Sequence, residues 1–146
     1  MKLKKWVATT VLGVLMCAVL TGCTSSVPIP DSMDEQELLN AGQQVLDLVV
    51  EDRFDEVHAL LREDIVQQLE VTTEKIKQQM DVDEQEYGKL KKVKETWTSG
   101  VAEDKEANIE EHAIAWFECQ YQEDRLVYGF AFDLDLELIG MSVNRE

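Results

Sequence analysis

The apolar residues of this 146-residue chain change their period at Gly88. Up to that glycine they recur every three or four positions, the spacing of one helix face; after it they alternate, the spacing of one sheet face. A chain patterned this way folds as helices followed by an antiparallel sheet, the α+β class. Ser32 and Glu35 read as a capping box opening a first helix, in which Leu38, Leu39, Val45, Leu46 and Val49 recur up to about Asp52. Phe54, Val57, Leu60, Leu61, Ile65 and Leu69 carry a second amphipathic stretch, bent near Glu63 and Asp64. Thr72 caps a third helix, with Val71 and Ile76 as its hydrophobic staple, running to Met80 and on towards Tyr87.

Beyond Gly88, Leu90, Val93 and Trp97 lie in a basic strand that ends at Ser99 and Gly100. Glu103 to Glu106 read as a turn, and residues 111–122 and 125–134 as two longer strands. Ile139, Met141 and Val143 complete a curved antiparallel sheet of about four strands, packed against the N-terminal helices. A tight hairpin centred on Glu123 and Asp124 pairs Tyr121 with Leu126, Cys119 with Tyr128, Phe117 with Phe130 and Ala115 with Phe132. That register puts both apolar sets on one face, which a slip of one residue would destroy. On the other face it sets Trp116 opposite Ala131 and diagonal to Gly129. There an indole either covers the gap left by the glycine or anchors a partner.

The N-terminus has a separate logic. Lys2, Lys4 and Lys5 precede the apolar run from Trp6 to Leu20, and small residues then lead to a cysteine in Leu20-Thr21-Gly22-Cys23. The order is that of a secretory signal. Its ending resembles the lipobox of bacterial lipoproteins, in which the cysteine receives diacylglycerol and the chain is cut just before it. The resemblance implies a signal peptide at residues 1–22, a lipidated tether at residues 23–32 and a single domain at residues 33–146. It also implies a location on the extracytoplasmic face of the cell membrane, with the lipid on Cys23 as the membrane contact. Each buried methylene contributes about 0.8 kcal/mol, so two acyl chains anchor where one does not.

Cysteine usage follows from that address. Cys17 leaves with the signal and Cys23 takes the lipid, so Cys119 has no partner and the domain has no disulfide. A single domain of 124 residues therefore rests on its core, burying about two-thirds of its unfolded surface. All thirty acidic residues but only eleven basic ones lie from Cys23 onward, a net charge of −19. Such a field repels nucleic acid and an anionic membrane surface, and attracts cations.

Phe54-Asp55-Glu56-Val57, Gly88, Phe130-Ala131-Phe132-Asp133 and Leu138-Ile139-Gly140-Met141 stand in an order that resembles the domain of unknown function 3887 of exported bacterial proteins, over residues 37–143. That family is similar to the nuclear-transport-factor-2-like, or cystatin-like, cone. The resemblance implies a sheet curled around helices with a pocket inside, and no assigned activity. With Ala113 and Ala115, the candidate pocket residues are then Phe117, Cys119, Tyr121, Tyr128, Phe130 and Phe132. Such a set either lines a site for a small apolar ligand or packs as a filled core.

No catalytic residue, metal site or cofactor is expected. His58 lies one turn from Arg62 at a boundary position, and His112 falls on the polar alternation of its strand, neither with a partner at fixed spacing. Cys119 sits mid-strand among apolar residues, the setting of an inert packed thiol. Asp133, Asp135 and Glu137 begin like a calcium loop, but Leu138 stands where that loop needs glycine and Asn144 where it needs glutamate. Alternation would set the three acids on one strand face. The reading that follows is a non-catalytic module that binds a small ligand or an envelope protein, but not nucleic acid. The alternative is a cryptic isomerase- or hydrolase-like enzyme of the cone fold, using an acid such as Asp133 with Tyr128.

Overall fold

A computed structural model describes residues 27–145, and Cys23 with the signal lies outside them. Among the described residues, five helices precede four strands: α1 (Glu35–Val50), α2 (Phe54–Leu60), α3 (Glu63–Gln68), α4 (Thr73–Met80), α5 (Glu84–Tyr87), β1 (Leu90–Val101), β2 (His112–Tyr121), β3 (Arg125–Phe132) and β4 (Leu138–Arg145). The strands form one antiparallel sheet in the order β1-β2-β3-β4. The α+β class, with N-terminal helices on a four-stranded antiparallel sheet, is what the change of period at Gly88 requires.

Local chemistry sets the element ends. The cap of α1 is Asp34, whose carboxylate accepts from the Glu37 amide at 3.0 Å, and not Ser32. Residues 30–33 are already folded into a turn, with the Met33 amide donating to the Pro30 carbonyl at 2.9 Å. Helix α1 ends in a pair of bonds from the Asp52 and Arg53 amides to the Val49 and Leu48 carbonyls. This is a Schellman motif with Asp52, at φ 59°, in the position that favours glycine. Glu70, at φ 50°, closes α3 in the same way. Thr72 caps α4 by accepting from the Lys75 amide at 3.2 Å. The expected bend near Glu63 and Asp64 is a full break at Leu61 and Arg62. There the chain bridges to Leu138 of β4, and the Arg62 amide donates to the Leu138 carbonyl at 2.9 Å.

The core lies between α1 and the inner face of the sheet. Leu38, Val45, Leu46 and Val49 of α1 are buried against Ala113, Ala115 and Phe117 of β2 and Tyr128 and Phe130 of β3. Gly42 allows this approach: a Cβ there would stand 2.7 Å from Ala115 Cβ and 2.8 Å from the Phe117 ring. From α4, the buried Gln79 donates its amide to the Met141 carbonyl at 2.7 Å, tying that helix to β4.

The hairpin register differs from the one expected. Ala113 pairs with Phe132, Ala115 with Phe130, Phe117 with Tyr128 and Cys119 with Leu126, two residues away from the sequence reading. The turn centres on Gln122 and Glu123, closed by the Tyr121 amide on the Asp124 carbonyl at 2.8 Å. Tertiary bonds choose it. The Gln122 and Glu123 amides donate to the carbonyls of Lys89 and Tyr87, at 3.2 and 3.0 Å. A two-residue shift preserves the alternation, so both apolar sets still share a face, and hydrophobic matching alone cannot tell the two registers apart.

Candidate functional site

Asp133, Asp135 and Glu137 do not lie along a strand. They form the tight turn between β3 and β4, with the Asp133 amide on the Glu137 carbonyl at 3.0 Å and Leu136 at φ 62°. Their carboxylates come within 4.8 Å of one another. However, the oxygens of Asp133 already have partners. One accepts from the Asp135 and Glu137 amides at 2.9 and 2.8 Å, and the other from Arg62 at 2.9 Å. Arg62 also holds Asp64 and Glu110, both at 2.6 Å, so one guanidinium joins the α2–α3 corner, the segment before β2 and this turn. Hydrogen bonding to Arg62 holds the Asp64 carboxyl below its ordinary range. Asp133 is therefore a structural acid. It follows β3 five positions after Tyr128 and points from the opposite face, so the Asp133–Tyr128 pair of the alternative enzyme reading is not made.

His112 also departs from its expected place. It is fully buried, with Nδ1 2.7 Å from the Glu110 carbonyl, and burial pushes its pKa down. His58 is half-buried, with Nε2 3.1 Å from the Val71 carbonyl, which makes it the boundary residue its spacing suggested. Cys119 is buried and free, and burial, aided by Glu118, pushes its thiol up to about 12. A thiol so rarely ionised is a packing group, not a nucleophile.

Trp116 lies directly opposite Gly129, and covers the bare backbone there. Its indole N–H donates to Ser99 Oγ at 2.9 Å, and its ring stacks on Trp97 with centroids 6.1 Å apart. Only 4% exposed, it has a structural task. The indole open to a partner is that of Trp97, at 37%. In the sequence Trp97 looked like an ordinary strand residue, and only its place opposite Trp116 identifies it.

Of the six candidate pocket residues, Tyr121 and Tyr128 line a cleft of about 850 Å³. Phe117, Cys119, Phe130 and Phe132 are buried in the core and do not contribute to that lining. The cleft opens at the β2–β3 turn end of the sheet, between the C-terminal ends of α1 and α4, the segment 81–84 and the start of β1. Val49, Met80, Val82 and Leu90 supply its apolar wall. Around them stand five carboxylates, of Asp52, Glu74, Asp81, Asp83 and Glu84, against the two ammonium groups of Lys77 and Lys89. At the floor the Tyr121 and Tyr128 hydroxyls hydrogen-bond at 2.7 Å. Burial, with smaller contributions from neighbours including Asp52 and Asp81, pushes both phenols up, Tyr128 well above the ordinary tyrosine value. Both therefore stay protonated, and the pair keeps one O–H and its lone pairs for further bonding. Among the described residues, the lining holds no histidine or cysteine.

Gly88 also lines this cleft. Gly88 has φ 74°, and a Cβ would stand 2.4 Å from Gln122 Oε1, so only glycine closes α5 and starts β1 here. No family model, curated protein or solved structure matches this chain.

Proposed function

We propose that this chain is an extracytoplasmic lipoprotein, held to the cell membrane by lipid on Cys23, whose cone-like domain binds a small cationic ligand without transforming it. The observation that carries the ligand class is the composition of the cleft: five carboxylates, two lysines and a buried phenol pair. Carboxylates at a cleft mouth concentrate cations by focusing the field of the whole acidic domain. Tyrosine rings and hydroxyl lone pairs are suitable partners for an ammonium once it is inside. The cleft volume matches that of small-molecule sites. The non-catalytic part of the reading is supported by the inert Cys119, the saturated Asp133 and the absence of an acid–base histidine from the lining. The lipoprotein part is supported by the Leu20-Thr21-Gly22-Cys23 ending, and the cone by the family resemblance of residues 37–143 together with the α+β architecture.

A thermal-shift screen tests the ligand class. Spermidine and choline, as cationic probes, are expected to raise the melting temperature, whereas glutarate and glycerol leave it unchanged. An equal shift with glutarate, or no shift with any amine, would remove the reading.

A further inference from the structure

The chain from Cys23 onward carries eleven basic residues, and four of them, Lys89, Lys91, Lys92 and Lys94, fall within six positions at the start of β1. All four are exposed. Lys94 lies 3.6 Å from Glu118, and Glu95 is the other acid of this stretch; Arg125, bonded to Glu118 at 2.9 Å, adds a further cation. A locally positive strip thus runs along a domain whose net charge is strongly negative. β1 is also an edge strand of the sheet, with β2 as its one neighbouring strand among the described residues.

The tether reaches the domain on the same edge. The Gly100 amide donates to the Val27 carbonyl at 2.7 Å, and the Pro28 carbonyl passes so close that a Cβ on Gly100 would stand 2.1 Å from it. Val27 is four positions from Cys23, so the lipid-bearing residue lies within about 14 Å of Val27 even with the chain fully extended. Trp97, three positions from Gly100 and 37% exposed, is an amphipathic ring of the kind found at membrane interfaces. We propose that the edge of β1 from Leu90 to Trp97 lies flat on the membrane, with the lysines against anionic phospholipid headgroups and Trp97 at the interface, and that the rest of the acidic domain faces outward. The net charge does not oppose this orientation, because charges more than about 10 Å from the surface are screened, whereas a lysine at the surface favours docking about fivefold.

This inference rests on the lipid-anchored reading, so the test supplies the anchor itself. The chain from Cys23 onward, which keeps every described residue, is coupled through the Cys23 thiol to a maleimide lipid; Cys119 is buried and does not compete. It is then placed on phosphatidylglycerol or phosphatidylcholine vesicles, and amide exchange is followed at residues 90–95, the part of β1 farthest from the anchor. Exchange there is expected to slow at least fivefold on phosphatidylglycerol relative to phosphatidylcholine. Lys91→Gln with Lys92→Gln should abolish the difference, whereas Lys75→Gln with Lys105→Gln, the same change of net charge, should preserve it. Equal exchange on both lipids, or equal effects of the two double variants, would overturn the proposal. Whether cells lipidate Cys23 is read separately, from the mass of the protein extracted from membranes.

Discussion

The two ends of the sheet are both rich in carboxylates, and they use them in opposite ways. At the β3–β4 turn, Asp133 has every oxygen engaged, and Arg62 gathers Asp64, Glu110 and Asp133 into one network. At the β2–β3 turn, five carboxylates ring a cleft whose lining includes two lysines and no arginine. The first end joins its acids through one planar, multidentate cation; the second sets its acidic groups around an open volume. Acidic residues alone therefore say little about binding. What separates a structural cluster from a candidate site is whether the acids close on one another or stand around a cavity.

The largest effect is expected at the closed end. Arg62→Met leaves three carboxylates facing each other without their shared partner, and should cost about 2–3 kcal/mol, read from chemical denaturation, because the group is only partly exposed. If the loss were under about 0.5 kcal/mol, in the range of an ordinary surface pair, the closed end would not be held by this network. The open end should behave differently. Asp52→Asn with Glu74→Gln removes two negative charges around the cleft, so stability is expected to hold or rise slightly while amine binding falls. A marked loss of stability would place these acids in the same structural class as Asp133.

Next in size is a pH effect beside the closed end. His112 is held neutral by burial, with its folded pKa below the ordinary value of 6.5. The unfolded chain therefore takes up the proton first as pH falls. Stability should be full above about pH 6.5 and decline as pH drops from there towards the folded pKa. His112→Gln should flatten the melting temperature across that window, and a wild-type curve already flat from pH 7 to 5 would contradict the assignment. Tyr128→Phe, at the open end, removes one hydroxyl of the buried pair and should cost about 1 kcal/mol. The smallest effect is expected at Glu70. Glycine there relieves the left-handed φ and should add up to about 1 kcal/mol, whereas alanine should add nothing.

The sequence was most legible where chemistry is local. Thr72 as a cap, Gly88 as a terminator and the switch of period there follow from residues within a few positions of one another. Where competing local signals were available, tertiary contacts decided. Asp34 displaced Ser32 as the cap, and bonds to the Tyr87 and Lys89 carbonyls pulled the hairpin turn back to Gln122 and Glu123. His112 was misplaced because alternation marks it as polar and outward, yet both faces of β2 are buried, so polarity there did not imply exposure. The cleft was half legible. Tyr121 and Tyr128 stood among the inner-face aromatics, but its acidic rim comes from α1, α4 and the segment 81–84, and nothing in their spacing shows that they converge. Trp97 was missed for the same reason, since its exposure depends on the strand beside it.

Cation binding in the Tyr121–Tyr128 cleft is the proposal on which the contrast between the two ends depends. Calorimetric titration of spermidine into the wild-type chain and into the Asp52→Asn, Glu74→Gln variant is the decisive experiment. A saturable one-to-one heat is expected for the wild type, with affinity weakened about tenfold or more in the variant, or about 1.4 kcal/mol, and weakened further by salt. No saturable heat, or the same affinity in both proteins, would contradict it.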